Sequence, residues 1–381
     1  MNLIIDWHIW ILPLFGLFEF IYIKNKYIYA SEHGELNSKV NNSIADDYRT
    51  SILFSILLFL PLVIIAGNRS FLSGDTGAYY NLHSSLPNSV SQLTFSDKER
   101  YPGFLIFTVL IKQFISSDFR VWLYIVALAS IIPLFISYRK YSSDIVFSAF
   151  CFFTADFIGW MNNGCRQFMV AAILFALAPM LLEKKLSKYF IFIIFGLFFY
   201  FFHVSILVAL PLFFVALGKP FNKKTIIFIF LIIIAIVFVN QFSGLITDTL
   251  ENTSYEKSSS EIANTNAGTN IIRVLFFSVP TIMAIINKKK ITDDIPPIIA
   301  YSINMSMIGS AFYFLSAFMN GITIGRMPIY FTLFNYILIP WEIRNFFKRN
   351  NQKLIFIVFI IVYFLFYAFQ MWTWDIGFNN V

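Results

Sequence analysis

Charged residues are scarce in this chain of 381 residues, where only 13% are Asp, Glu, Lys or Arg, against about 25% in an average soluble domain. A composition this poor in charge excludes a soluble globular enzyme, a disordered chain and a nucleic-acid-binding protein. The two cysteines, Cys151 and Cys165, form no CxxC pair and the four histidines are scattered, so the sequence predicts no metal site and at most one disulfide bridge. It also lacks Walker and GxGxxG motifs, and we expect no cofactor.

Apolar residues make up 58% of the chain, and 48 residues are phenylalanine. Apolar stretches of 15 to 29 residues recur along the whole length, while a helix that spans a membrane needs about 20. The composition therefore predicts an all-α, polytopic integral membrane protein, with residues 1–381 in a single membrane-embedded domain.

The apolar stretches predict twelve transmembrane helices, at residues 1–23, 51–67, 121–137, 145–161, 169–182, two within 189–217, 225–246, 271–287, 295–319, 327–343 and 354–374. Stretch 103–115 is short and contains Lys112, so it predicts a partial helix on the outer side. Basic residues flank 189–217 on both sides, which favours two short helices with His203 at their outer tip.

Lysine and arginine residues define the two sides of this topology, because loops on the cytoplasmic side carry an excess of them. No Lys or Arg precedes Lys24, so we expect a retained first helix with its N-terminus outside, followed by a cytoplasmic loop at 24–50. The larger outer loops are predicted at 68–102 and 247–270. Nineteen of the 28 basic residues fall in cytoplasmic loops, and the nine others are Arg69, Lys98, Arg100, Lys112, Arg120, Arg166, Lys257, Arg273 and Arg326.

Four of these arginines, Arg69, Arg166, Arg273 and Arg326, fall where a predicted helix meets the outer surface. Each could extend its side chain to lipid phosphate, and for Arg273 this reading is favoured because no motif surrounds it. The functional alternative is a cluster that binds a bulky anion, since a guanidinium makes two parallel charge-assisted hydrogen bonds to phosphate. A lipid-linked diphosphate fits that position.

Other candidates for chemistry lie near the same predicted surface. Asp75 is either a turn or cap residue or the general base for an acceptor hydroxyl. His203 is either a buried histidine with satisfied hydrogen bonds or a base or phosphate ligand. Glu99 and Arg100 are expected to form a surface pair. Tyr79, with Tyr80 and Tyr101, offers rings on which a sugar could stack.

Several motifs together resemble the EpsG family of Wzy-like polysaccharide polymerases over most of the chain. They are Arg69 with Asp75-Thr76 and Tyr79, Pro102-Gly103-Phe104, Asn163-Gly164-Cys165-Arg166-Gln167, Phe202-His203-Val204-Ser205 with Pro211, and Gly325-Arg326-Met327 with Pro340. Two positions differ from the family pattern: Tyr101 stands where a Glu often precedes the Pro-Gly, and Cys165 replaces an aliphatic residue.

The resemblance implies a GT-C-like, metal-independent membrane glycosyltransferase that joins oligosaccharide repeat units carried on undecaprenyl diphosphate. The active site would face the exterior or periplasmic side of a bacterial cytoplasmic membrane. Arg166 and Arg326, helped by Arg69, would bind the diphosphate, and Asp75 or His203 would act as base. Apart from the resemblance, the further candidates for substrate binding are Tyr79, Gln167, Arg273, Glu99 and Arg100.

The expected partners are lipid-linked glycans, membrane lipids, and flippase and chain-length regulator proteins, with no nucleic acid. Three other functions are weighed against this one. A lipid-linked oligosaccharide flippase would place arginines along a path through the bilayer. Transporters are often built from inverted repeats, and the sequence shows no convincing internal repeat. A membrane O-acyltransferase needs an early catalytic histidine, but His8 and His33 have no supporting motif. An O-antigen ligase has similar chemistry and typically a larger outer loop.

Overall fold

A computed structural model describes residues 7–32, 50–95, 100–239, 241, 244, 268–292, 294–319, 321 and 323–373. Over these residues the secondary structure is helical, without strands. The helices are α1 (Trp7–Glu32), α2 (Ile52–Asn68), α3 (Thr76–Ser85), α4 (Pro102–Phe114), α5 (Phe119–Tyr141), α6 (Ile145–Asn162), α7 (Cys165–Glu183), α8 (Leu186–Tyr200), α9 (Ile206–Val215), α10 (Lys223–Val237), α11 (Ile271–Ile286), α12 (Pro297–Phe318), α13 (Ile329–Thr332), α14 (Asn335–Phe346) and α15 (Arg349–Thr373).

Polar residues fix where several helices begin. The side chains of five residues accept a hydrogen bond from a backbone N–H in the first turn, which satisfies a donor that the helix itself leaves without a partner. These residues are Ser51, Asp118, Asp144, Asn222 and Asn270, before α2, α5, α6, α10 and α11. The helix starts are therefore specified by local sequence and not only by the apolar runs.

Five helices of the described chain, α5, α6, α7, α12 and α15, are long and apolar enough to cross a membrane. Five more apolar helices, α2, α4, α8, α9 and α11, are shorter. The predicted all-helical membrane protein is confirmed at this level, and the count of twelve spans and the GT-C-like arrangement stay predictions. The predicted pair of short helices within 189–217 is present as α8 and α9, with His203 in the turn between them.

The helix bounds differ from the predicted ones at two places. Helix α1 continues through Lys24 to Glu32, so the predicted loop 24–50 begins later than the sequence suggested, because a helix does not stop where its apolar residues stop. The predicted span 327–343 is divided into α13 and α14. Residues 33–49 of the first loop and 247–267 of the second outer loop lie outside the described residues.

Helix α6 lies in the interior of the bundle and is buried along its length. At its start, the Asp144 carboxylate lies 3.2 Å from an Arg344 Nη2 of α14. At its end, Asn162 contacts the loop that precedes α3. An 18-residue helix is about 27 Å long, so these contacts lie at opposite ends of the bundle. The candidate residues gather at the Asn162 end.

Candidate active site at one end of the helical bundle

A backbone hydrogen bond joins the loop before α3 to the end of α6. The amide of Asp75 donates to the carbonyl of Asn162 over 2.8 Å. Gly74 precedes it with a φ of +51°, and a Cβ at this position would lie 2.8 Å from the Asn162 carbonyl oxygen. Only glycine combines this backbone conformation with so close an approach. The motif around Asp75 is thereby fixed against the α6–α7 turn.

The side chain of Asp75 faces Arg326. Its Oδ2 lies 3.9 Å from Arg326 Nη2, and the two side chains are 45% and 38% exposed. An exposed pair at this distance contributes less than about 1 kcal/mol, so a ligand can replace either partner at low cost. The Arg326 carbonyl accepts a 3.1 Å hydrogen bond from Gln167 Nε2, which ties the short turn at Ile324–Arg326 to the start of α7.

Arg166, next to Gln167 on α7, stacks on an aromatic ring. Its guanidinium carbon lies 3.4 Å from the centre of the Tyr101 ring and 5.5 Å from that of Phe104. The arginine therefore makes a cation–π contact at the position where the family pattern often has Glu. Tyr101 itself is held because the amide of Gly103 donates to the Phe201 carbonyl over 3.0 Å, which docks the start of α4 on the α8–α9 turn.

His203 belongs to a chain of polar side chains in that turn. Its Nδ1 lies 2.7 Å from Ser205 Oγ, and Ser205 Oγ lies 2.9 Å from the hydroxyl of Tyr330. Burial lowers the pKa of His203 to about 3, and the positive charges of Arg166 and Arg326 act in the same direction. The imidazole is consequently neutral near pH 7 and is a weak base.

Arg69 and Tyr79 lie behind the exposed groups. Arg69 is 4% exposed, and its Nε and Nη1 donate to Thr76 Oγ1 at 3.2 Å and to the Ala66 carbonyl at 2.8 Å. Tyr79 packs among aromatic rings, with centroids 6.1 Å from Phe104 and 5.9 Å from Trp122. These contacts hold α3 against the bundle. The predicted roles of both residues in substrate binding stay predictions.

The remaining predicted site residues are Arg273, Glu99 and Arg100. Arg273 lines a cavity of about 500 Å³ whose wall also includes Arg326 and the α6–α7 turn. Arg100 is half-buried just before α4, and Glu99 lies outside the described residues, so their pairing stays a prediction. No cluster of His, Cys, Asp and Glu suited to a metal ion occurs in the part of the chain that the structure describes.

Sequence reasoning missed one buried acid near the site. Asp156 lies in a π-helical segment of α6, Phe153–Phe157, and is 1% exposed. Its Oδ2 accepts a 2.5 Å hydrogen bond from the Tyr336 hydroxyl. The signal was available, because an acidic residue inside a long apolar run is costly and commonly functional. The distribution of basic residues among the loops does not reveal Asp156, since this residue is acidic and lies inside a predicted span.

The sequence profile of the EpsG family matches residues 52–380, which is most of the chain and includes every motif of the site described above. The chain belongs to the EpsG family. This is a family of Wzy-like polysaccharide polymerases. The protein is therefore a membrane protein of the polysaccharide-polymerase type, which is a type of glycosyltransferase. No curated protein and no solved structure gave a significant match.

Residues of several EpsG-family motifs come from distant parts of the sequence, yet they meet at this end of the bundle. Asp75 touches Arg326, Gln167 touches the backbone of Arg326, and Arg166 touches Tyr101. The resulting surface combines one accessible carboxylate with two arginines. Such a set can bind an anion and accept a proton beside it.

Proposed function

We propose that this EpsG-family protein joins oligosaccharide repeat units carried on undecaprenyl diphosphate, at the outer face of the bacterial cytoplasmic membrane. The observation that carries the proposal is the accessible Asp75–Arg326 pair beside Arg166. A polymerase of this kind must stabilise a diphosphate leaving group and deprotonate a sugar hydroxyl. Two arginines and one carboxylate supply those two functions.

In the proposed reaction, an acceptor hydroxyl oxygen attacks the anomeric carbon of the growing chain. The bond between that carbon and the diphosphate oxygen breaks, and its electron pair stays on the diphosphate. Arg166 and Arg326 stabilise the negative charge, as fixed cationic groups do for developing anions. The proton of the acceptor hydroxyl passes to the carboxylate of Asp75.

Asp75 is favoured over His203 as the base. The Asp75 side chain is accessible and adjoins Arg326, so an acceptor oxygen can reach it. The Nδ1 of His203 is committed to Ser205, and its depressed pKa makes it a poor proton acceptor. We assign His203 to positioning of the α8–α9 turn, and Arg69 to positioning of the α3 loop.

Two other functions remain to be separated from this one. A lipid-linked oligosaccharide flippase would need arginines distributed through the bilayer, whereas Arg166, Arg273 and Arg326 gather at one end. An O-antigen ligase would use the same diphosphate chemistry on a different acceptor. Deleting the gene distinguishes them: a single-repeat product indicates a polymerase, no surface product a flippase, and unligated polymer a ligase.

The direct test is a set of substitutions in that deletion strain. Arg166→Ala, Arg326→Ala and Asp75→Asn should each lower polymerisation about a hundredfold or more, the loss found when one group that stabilises a transition state is removed. Arg349→Gln is the control, since it removes the same charge from an exposed position at the start of α15. Unchanged polymer length and yield in both alanine variants would refute the arginine mechanism.

The membrane orientation has its own test. Reporter fusions at Asn163 and Lys289 should give opposite topology signals, because Asn163 lies at the site and Lys289 follows the far end of α11. Helix α11 has 16 residues and is about 24 Å long. An outer signal at Lys289 would reverse the proposed orientation.

A further inference from the structure

The cavity beside Arg326 is lined by basic, aromatic and uncharged polar residues. Among its described lining residues Arg273 and Arg326 are charged and none is acidic, although Asp75 approaches Arg326 and the buried Asp156 acts on Arg273 from outside the lining. Trp160, Phe366 and Phe369 contribute aromatic surface. Amide and hydroxyl side chains also reach the wall, those of Asn163, Thr269, Gln370 and Thr373. Its volume of about 500 Å³ falls within the usual range for small-ligand sites.

Arg273 is held in place at this cavity. Its Nη2 donates to Gln370 Oε1 over 3.3 Å, and Gln370 Nε2 donates in turn to the Thr154 carbonyl over 3.0 Å. The Thr154 carbonyl belongs to the π-helical segment of α6, so three helices fix one guanidinium. An arginine that merely extends to lipid headgroups needs no such support. The arrangement is typical of an arginine that is preorganised for a ligand.

The start of α11 adds to the positive potential. Thr269, Asn270 and Arg273 all line the cavity, and Asn270 caps the helix. The N-terminus of a helix of this length carries roughly half a positive charge, which favours an anion nearby. The helix end and the guanidinium therefore act on the same space.

We propose that this cavity is a subsite for a negatively charged sugar of the glycan substrate, with Arg273 binding its carboxylate or phosphate oxygens. The inference rests on the proposed function and adds a substrate class to it: the repeat unit is acidic. Aromatic surfaces suit the apolar faces of sugar rings, and amides and hydroxyls suit their hydroxyl groups. Arginine supplies the paired donors that a carboxylate or a phosphate needs.

This subsite shares one residue, Arg326, with the group that binds the lipid diphosphate in the proposed reaction. Arg166 stacks on Tyr101 and does not line the cavity. Arg326 lines the cavity and also contacts Asp75, so it lies at the border of the two regions. A sugar held beside Arg273 would lie next to Arg326, which contacts Asp75.

The first test is chemical. The polymer whose synthesis depends on the gene is isolated, and its repeat unit is analysed for uronic acids and for acidic substituents. An acidic group in every repeat supports the proposal, and a fully neutral repeat overturns it. If deletion of the gene leaves all polysaccharides unchanged, the proposed function itself fails, and that result is distinct from a neutral polymer.

The second test is kinetic and uses the purified full-length protein with its lipid-linked repeat unit. Arg273→Gln should raise KM about ten- to a hundredfold, the value of one charge-assisted contact, with a smaller change in kcat. Arg273→Lys keeps the charge but loses the paired donors, so it should restore part of the affinity. Arg349→Gln should match the wild type, and a wild-type KM for Arg273→Gln overturns the proposal.

Inorganic pyrophosphate identifies the source of the anion. It should inhibit the wild type and Arg273→Gln equally, because the proposed diphosphate site does not include Arg273. If the substitution abolishes inhibition, Arg273 holds the lipid diphosphate and the acidic-sugar assignment is wrong. Thermal unfolding in detergent checks that Arg273→Gln is folded. If this variant is destabilised, Arg273→Lys is measured in its place, and a wild-type KM for Arg273→Lys would overturn the proposal.

Discussion

Substituting Gly74 with alanine is expected to lower the rate of polymerisation strongly without changing a reacting group. The new Cβ would lie 2.1 Å from Asn163 Oδ1 and 2.8 Å from the Asn162 carbonyl oxygen. The amide end of Asn163 can rotate away, but the carbonyl is backbone and would have to retreat about 0.6 Å to reach an ordinary contact of 3.4 Å. Alanine at a φ of +51° costs a further amount of about 1–2 kcal/mol, which is the usual penalty for a residue with a Cβ in this left-handed region.

That displacement acts on both halves of the site. The hydrogen bond between the Asp75 amide and the Asn162 carbonyl would lengthen and weaken, and the carboxylate would move relative to Arg326. A misplacement of about 1 Å can cost a hundredfold in rate, so we expect a ten- to hundredfold loss for Gly74→Ala. The assay is polymer formation by purified protein in nanodiscs with the lipid-linked repeat unit.

Gly16→Ala is the matched control, because a Cβ at Gly16 meets nothing within 4 Å. This residue lies inside α1, where alanine is favoured over glycine. The control should keep wild-type activity and stability. Equal activity of Gly74→Ala and Gly16→Ala would refute the idea that the contact between the loop and the α6–α7 turn sets the geometry of the site.

Three further outcomes are expected. Tyr101→Phe should keep activity and Tyr101→Leu should lower it about three- to thirtyfold, since only the leucine removes the ring under Arg166; equal losses in both would contradict this. His203 has a folded pKa of about 3 against 6.5 unfolded, so the unfolded chain binds the extra proton and stability falls as pH drops from about 6.5 towards 3. His203→Gln should weaken that dependence in thermal unfolding between pH 7 and 4.5. Gly103→Ala should lower activity, because its Cβ would lie 3.0 Å from the Phe201 carbonyl oxygen; a wild-type rate would show that this docking contact is dispensable.

The sequence predicted those features that depend on local length and charge. Helix α4 and the pair α8 and α9 follow from apolar runs of a given length between basic residues. The gathering of Asp75, Arg166 and Arg326 at one end follows from counting crossings. None of this required knowing which helices touch.

The interior of the bundle was harder to predict, because apolar residues face both lipid and protein in such a chain. Periodicity therefore carries little information on burial. One signal was nevertheless present: among the five long spans, α6 and α12 are the most buried and the least apolar, while α15 is the most apolar and the least buried. Buried spans contain polar groups such as Asp156 that a lipid-facing helix cannot accept.

Contacts between distant segments could not be predicted from one sequence. Arg69 was expected at the surface with the other outer arginines, yet its hydrogen bonds to Thr76 and Ala66 bury it. The cavity around Arg273 also depends on Gln370, almost a hundred residues later in the chain. The type of a residue and the side of the membrane predicted for it do not indicate which distant residue it contacts.

The hydrogen bond between the α3 loop and the α6–α7 turn joins two main-chain atoms, the amide of Asp75 and the carbonyl of Asn162. Assembly of the site and its chemistry are therefore separable at this position. Asp75→Asn, Asp75→Ser or Asp75→Ala all keep the amide that makes the junction, so each should yield an intact but inactive protein that still binds its substrate. Asp75→Pro alone among these changes would lose the donor. Inactive variants of this kind are suited to trapping the protein with its lipid-linked glycan.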